Sequence, residues 1–341
     1  MSKRGKKDVI LITGAGASFD VYNHFGLGKD LIEQIIERVG TQEEFRNYFI
    51  ESKNVKPETL DNFRNNLIGY KENSAFKSID EFLTEVELYP EYDEVREHYL
   101  LIGKAAILFH ITGWEGHFKN SFNAGNAHIE HTWIYEVIKF IETHNLLDAY
   151  KSQKIVEDSL MILTFNYDRL LEYCLLEYFQ YSDLIRNWIH NNIIHIYDDL
   201  TLNDMLMTDG LEFGFKNDRI EKLLEYKDKI RTLYDKRGFT LSRSIKKSNV
   251  PTMMSGSDIN QLLHWSSPSK IGCLGFGFDY FNCRNLGILE SVITANIRTG
   301  ELQGIFTERR RISNSVRTMI KESNFKYMHC KDFVNYMFNL T

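Results

Sequence analysis

The stretch Val9 to Asp20, VILITGAGASFD, constrains this chain more than any other. Its opening VILIT is too short for a helix and too uniformly apolar for a strand wetted on one side. It reads as a strand of a parallel sheet buried on both faces. The chain then enters Gly14, Ala15, Gly16, Ala17 and Ser18, followed by a helix-compatible run. Glycines at the end of such a strand let backbone N–H groups approach a pyrophosphate, and a helix start adds partial positive charge. This favours a dinucleotide ligand. The full G-x-G-x-x-G spacing is not met, because Phe19 stands at the third glycine and no acidic residue closes a second strand about 20 residues on. A hydride-transfer dehydrogenase is thereby demoted. The plain alternative is a tight strand-to-helix turn without a ligand.

Three further segments have the same character: Leu160 to Phe165, Ile193 to Tyr197 and Ile271 to Gly275. Val292 to Ile297 and Phe325 to Cys330 read as later strands, Glu308 to Glu322 as a helix between them, and Asp332 to Phe338 as a closing helix capped by Asp332. Elsewhere Leu, Phe, Tyr and Ile recur at helical spacing among charges. The expected fold class is α/β: a Rossmann-like parallel sheet with helices on both faces and a helical lobe built from insertions. Residues 1–41, 151–200 and 263–341 would form the core, with insertions at 42–150 and 201–262, as one nested unit over 1–341. No internal repeat or low-complexity tract is present.

Composition narrows the class of function. Lys and Arg total 41 against 47 Asp and Glu, a net charge of −6, which makes direct nucleic-acid binding an unfavoured reading. The runs Arg309–Arg311 with Arg317, and Lys246 with Lys247, read as solvated helix faces. Cys174, Cys273, Cys283 and Cys330 form no C-x-x-C pair, so neither a disulfide framework nor a structural zinc site is expected, and a reducing compartment fits. The apolar run at the start is too short for a signal peptide and leads directly into the glycine turn. With no stretch suited to spanning a membrane, the chain reads as cytoplasmic and without a membrane partner.

The other candidate site residues lie where the remaining core strands end. Thr164, Phe165, Asn166, Tyr167 and Asp168 close the second strand, where Asn offers hydrogen bonds to a sugar hydroxyl or a water and Asp accepts from an amide. Their plain alternative is a helix cap before RLLEYCLLEYF. Strand alternation puts His195 on one face with Tyr197, and Gly275, Gly277 and Phe278 lie in a late Gly-rich turn, GFGFD. His128 and His131 around Glu130 mimic metal spacing without a third ligand and read as a surface pair, so no metal is expected. Ser78 to Leu83 reads as a helix start capped by Ser78.

GAGAS, TFNYD, the His-bearing strand and GFGFD, in that order with helical inserts between them, resemble the sirtuin-like NAD-binding fold. The similarity covers about half the chain, and its nearest likeness is to the bacterial branch associated with defence against phages. The resemblance implies that Gly14, Ala15, Gly16, Ala17 and Ser18 bind the NAD phosphates, with Asp20 and Thr164 beside them. It implies that Asn166 and Asp168 hold the nicotinamide ribose and carboxamide, and that Gly275, Gly277 and Phe278 lie along the cofactor. The family commonly reads H-x-H-G at its third strand, whereas this chain has His195-Ile196-Tyr197-Asp198. Tyr titrates near pH 10, so His195 is preferred to Tyr197 as the base.

The expected activity is hydrolysis of NAD to nicotinamide and ADP-ribose, with Asn166, His195 and Asp168 catalytic and NAD as substrate. Two alternatives stand beside it: a catalytically altered subunit that senses NAD or ADP-ribose, and an NAD-dependent protein deacylase lacking the four-cysteine zinc module. The resemblance further implies a homo-oligomer working with a hexameric DNA-translocating ATPase or a phage-sensing partner.

Overall fold

The computed structural model describes residues 9–73, 78–151, 160–196, 213–214, 270–276, 293–297 and 325–339. Six parallel strands form one sheet: β1 (Val9–Thr13), β2 (Leu160–Thr164), β3 (Ile193–His195), β4 (Lys270–Leu274), β5 (Ile293–Ile297) and β6 (Phe325–Tyr327). Their order is β3-β2-β1-β4-β5-β6. Every residue of β1 and β2 is buried, as their unbroken apolar sequence requires. The chain is thus an α/β protein built on a parallel sheet, with its first strand at the centre.

The helices among the described residues are α1 (Ala15–Val21), α2 (Gly28–Thr41), α3 (Glu43–Asn47), α4 (Pro57–Asn73), α5 (Ile79–Leu88), α6 (Arg96–Asn123), α7 (Trp133–Thr143), α8 (Leu146–Lys151), α9 (Leu170–Tyr178), α10 (Asp183–Asn192) and α11 (Cys330–Asn339). A π-helical turn, Tyr48–Ser52, follows α3. Contacts divide the chain into two compact units: Met1–Asn23 with Phe122–Ile196 and Arg237–Thr341, and His24–Ser121 with Tyr197–Lys236. The sheet unit therefore takes in α7 and α8, which lie inside the first insertion as read from sequence, and the helical unit takes in α2. The reason is packing: α7 lies against α11, where Phe140 and Phe338 stack with centroids 4.2 Å apart, and α10 lies against β2 and β3.

Most element assignments from sequence agree with the structure within a residue or two. Ser78 caps α5, its Oγ accepting from the Asp80 amide at 3.2 Å, but Glu81 is buried and accepts from the Tyr70 hydroxyl at 2.6 Å. The closing helix begins at Cys330, two residues before the expected cap, so Asp332 lies in its first turn, where a carboxylate complements the helix dipole. The expected helix 308–322 lies outside the described residues.

In the helical unit, α6 carries the core. Phe63 packs edge-on against both Phe82 and Tyr99, and Arg38 lies 3.7 Å over the Phe109 ring. Arg38 Nε donates to His110 Nε2 at 3.1 Å, so this imidazole must be neutral at that nitrogen. Burial, and next the Arg38 charge, push the His110 pKa down to about 3. A folded pKa below the unfolded value means that the unfolded chain takes up the proton first. The stabilisation is therefore present above about pH 6.5 and is lost as pH falls toward 3. At pH 5 the loss is about 2 kcal/mol. Melting curves at pH 7 and pH 5 should show a drop of several degrees that His110→Gln, which keeps an acceptor for Arg38, largely removes. An equal drop in the variant would refute this assignment.

Two residues of the second insertion show how the helical unit is assembled. Phe213 packs edge-on against Phe118, its carbonyl accepts from Lys119 Nζ at 3.3 Å, and the Gly214 amide donates to Glu115 Oε2 at 3.3 Å. Both therefore sit on α6.

Candidate functional site

Strand order reverses between β1 and β4: β2 and β3 lie to one side of β1, and β4, β5 and β6 to the other. In open parallel sheets, ligands collect at the carboxyl ends of the strands beside such a reversal. Register aligns the strand ends there, pairing Thr13 with both Thr164 and Leu274, and Thr164 with His195. The motifs read from sequence at Gly14, Asn166, His195 and Gly275 are thereby brought to one edge.

The two glycine turns touch each other. The Gly14 amide donates to the Leu274 carbonyl and the Gly16 amide to the Gly275 carbonyl, each at 3.0 Å, while the Ala17 amide donates to Gly14 at 2.8 Å. A Cβ on Gly14 or Gly16 would stand 2.8 Å from the Gly275 oxygen, and one on Gly275, at φ +56°, 2.1 Å from the Ala17 nitrogen. The glycines here serve backbone-to-backbone packing, and three of the amides expected to face a phosphate are spent on protein carbonyls.

Beside them, Ser18, Asp168 and Asn166 form a buried chain of hydrogen bonds whose polarity follows from chemistry. A carboxylate only accepts, so Ser18 Oγ, 2.9 Å from both Asp168 oxygens, donates its single proton there. Ser18 Oγ is then left as an acceptor for Asn166 Nδ2 at 2.9 Å. The Asn166 amide is also tied, donating to Thr164 Oγ1 at 3.1 Å. With its nitrogen committed, the Asn166 carboxamide presents Oδ1, which is buried and meets no hydrogen-bond partner among the described residues. Asn166 itself is only 6 % exposed. An orphaned buried acceptor is costly and uncommon, and a ligand or a water relieves it. Asp168 also accepts from the Leu170 amide at 3.2 Å, so the helix-start and site readings of this residue both hold.

Thr13, Ser18, Trp133, Thr164, Asn166 and Glu172 are among the residues lining a small cavity here. It has room for about one water. Trp133 Nε1 donates to the Ala17 carbonyl at 2.9 Å, tying the start of α7 to the glycine turn. Trp133 and Glu172 were not foreseen. Trp133 lies in a segment assigned to an insertion. Glu172 had one signal, its four-residue spacing from Asp168, which puts two acids on one side of the following helix.

His195 reaches the site but not as an open base. It is 4 % exposed, with Nδ1 3.1 Å from the Asn166 carbonyl and Nε2 2.5 Å from Glu172 Oε1. Both ring nitrogens are thus engaged by protein atoms. Asp20 is directed elsewhere, 3.6 Å from His329 Nδ1. Gly277, Phe278, Tyr197 and Asp198 lie outside the described residues. Cys174 is no nucleophile in this setting: burial, and then the nearby Glu172, push its thiol pKa well above the usual range.

Among the described residues no group of three or more His, Cys, Asp or Glu is placed to hold a metal. His128 and Glu130 stand 4.0 Å apart, and both are exposed. No helix of the described residues is long and apolar enough to cross a membrane. The chain matches no model of a known protein family and no curated protein.

Proposed function

We propose that this chain hydrolyses NAD, breaking the bond between nicotinamide and ribose on a Rossmann-like, sirtuin-like core. The observation that carries the reading is the Asn166 carboxamide, held by Ser18 and Asp168 with its oxygen open, at the carboxyl ends of β1 and β2 where the strand order reverses. An oriented buried acceptor of this kind suits a ribose hydroxyl or the attacking water. The electron pair of the broken bond leaves with nicotinamide, whose ring becomes neutral. Water adds to the ribose carbon and releases a proton to solvent. The products are nicotinamide and ADP-ribose, reached through an oxocarbenium-like passage. We place the protein in the cytoplasm, as a homo-oligomer regulated by a phage-sensing or ATPase partner.

The engaged ring nitrogens of His195 favour a second reading, a subunit that binds NAD or ADP-ribose without cleaving it. Incubating the purified chain with NAD and separating the products distinguishes the two. Equal release of nicotinamide and ADP-ribose supports the hydrolase. Saturable binding in a calorimeter without turnover supports the sensing subunit.

A further inference from the structure

We infer that Glu172 is a positioning residue, which acts through His195 to fix the peptide that carries Asn166. The inference rests on the site reading above and extends it to a residue with no assigned role. Asn166 is held at three points. Ser18 fixes its side chain, Thr164 its amide, and His195 its carbonyl, the only one of the three contacts made by a titratable group.

Chemistry again settles the direction of each contact. The Asn166 carbonyl only accepts, so His195 Nδ1 carries a proton. Nε2 faces Glu172 at 2.5 Å, and the shared proton rests either on the ring or on the carboxyl group. In both cases Nδ1 stays a donor. Without Glu172, the contact that fixes the ring from its Nε2 side is lost, and the imidazole is free to turn and draw its Nδ1 proton away from the Asn166 carbonyl. The pair is sealed from water, with side chains 1 % and 2 % exposed, so no solvent stands in for the missing carboxyl. Two carboxylates thus converge on one asparagine from opposite ends: Asp168 through a hydroxyl on the side chain, Glu172 through an imidazole on the backbone.

The test uses the full chain, steady-state NAD hydrolysis and imidazole nitrogen NMR of His195. Glu172→Ala should lower kcat about 10- to 100-fold with KM within twofold, as expected for a displaced reacting group. It should also lose the NMR signature of a hydrogen-bonded, exchange-protected Nδ1 proton. Glu172→Gln, whose carboxamide donates to Nε2 and leaves the proton on Nδ1, should restore both. Wild-type kcat in Glu172→Ala, or an unchanged Nδ1 signal, overturns the proposal. If Glu172→Ala does not fold, Glu172→Leu, which fills the space without a hydrogen bond, is compared with Glu172→Gln: an exchange-protected Nδ1 proton in the Gln variant alone upholds it, and equal protection in both overturns it. If the wild type cleaves no NAD, the hydrolase reading falls by itself, and the NMR comparison alone upholds or overturns the role of Glu172.

Discussion

Asn166→Ala is expected to lower NAD hydrolysis by on the order of 10²–10³ in kcat while leaving the circular dichroism spectrum unchanged. The substitution removes a buried acceptor that meets no partner among the described residues, together with the donor to Ser18, and leaves Ser18 Oγ still bonded to Asp168. Asn166→Asp is the sharper companion. Ser18 has one proton and already gives it to Asp168, so a second carboxylate beside it would face a lone pair and a like charge. One carboxyl of that trio would have to take up a proton at neutral pH. The Asp variant should therefore be no more active than the Ala variant at pH 7, should be less stable, and should regain stability as pH falls. Product separation and melting curves at two pH values provide both readouts. Full turnover in Asn166→Ala would remove Asn166 from the chemistry and leave it a structural residue.

Gly275→Ala is expected to be the most damaging single methyl group in the sheet unit, costing on the order of 3–5 kcal/mol. Two penalties add. The left-handed φ of +56° disfavours any side chain, and the new Cβ would stand 2.1 Å from the Ala17 nitrogen, a backbone atom that cannot swing aside. Relief requires separating the two turns and breaking the Gly16 to Gly275 hydrogen bond. Gly125→Ala is the control, since its φ of +71° is equally left-handed but nothing lies within 4 Å of the added carbon. It should cost only about 1 kcal/mol. Denaturant titration of the pair separates the clash from the dihedral, and similar losses in both would show that the turns are not in contact.

The sheet was legible because its central strands are buried on both faces, and burial on both faces writes itself as an unbroken apolar run such as VILIT or LMILT. The convergence of Asn166, His195 and the glycine turns was legible for the same reason, each motif following one of those runs. What the glycines do was not. A glycine that admits a phosphate and one that admits another backbone look alike until the opposing chain is seen, and here the opposing chain is Gly275. His195 was readable as a residue of the site but not as an engaged one, because its partner Glu172 sits on a separate helix, among other acids at ordinary helical spacing. Trp133 was hidden for a different reason: a helix that packs on the sheet and one that packs on other helices carry the same 3.6-residue pattern.

The central position of β1 also bears on how the molecule comes off the ribosome. β1 pairs with Leu160–Thr164 on one side and Lys270–Leu274 on the other and is made before either, so it waits as an apolar segment for both partners. Synthesis from Thr164 to Leu274 alone takes on the order of 10 s. During that interval the turn at Gly14 and Gly16 lacks the carbonyls of Leu274 and Gly275 that hold it closed. A nascent chain therefore has no closed glycine turn until Leu274 and Gly275 have been made.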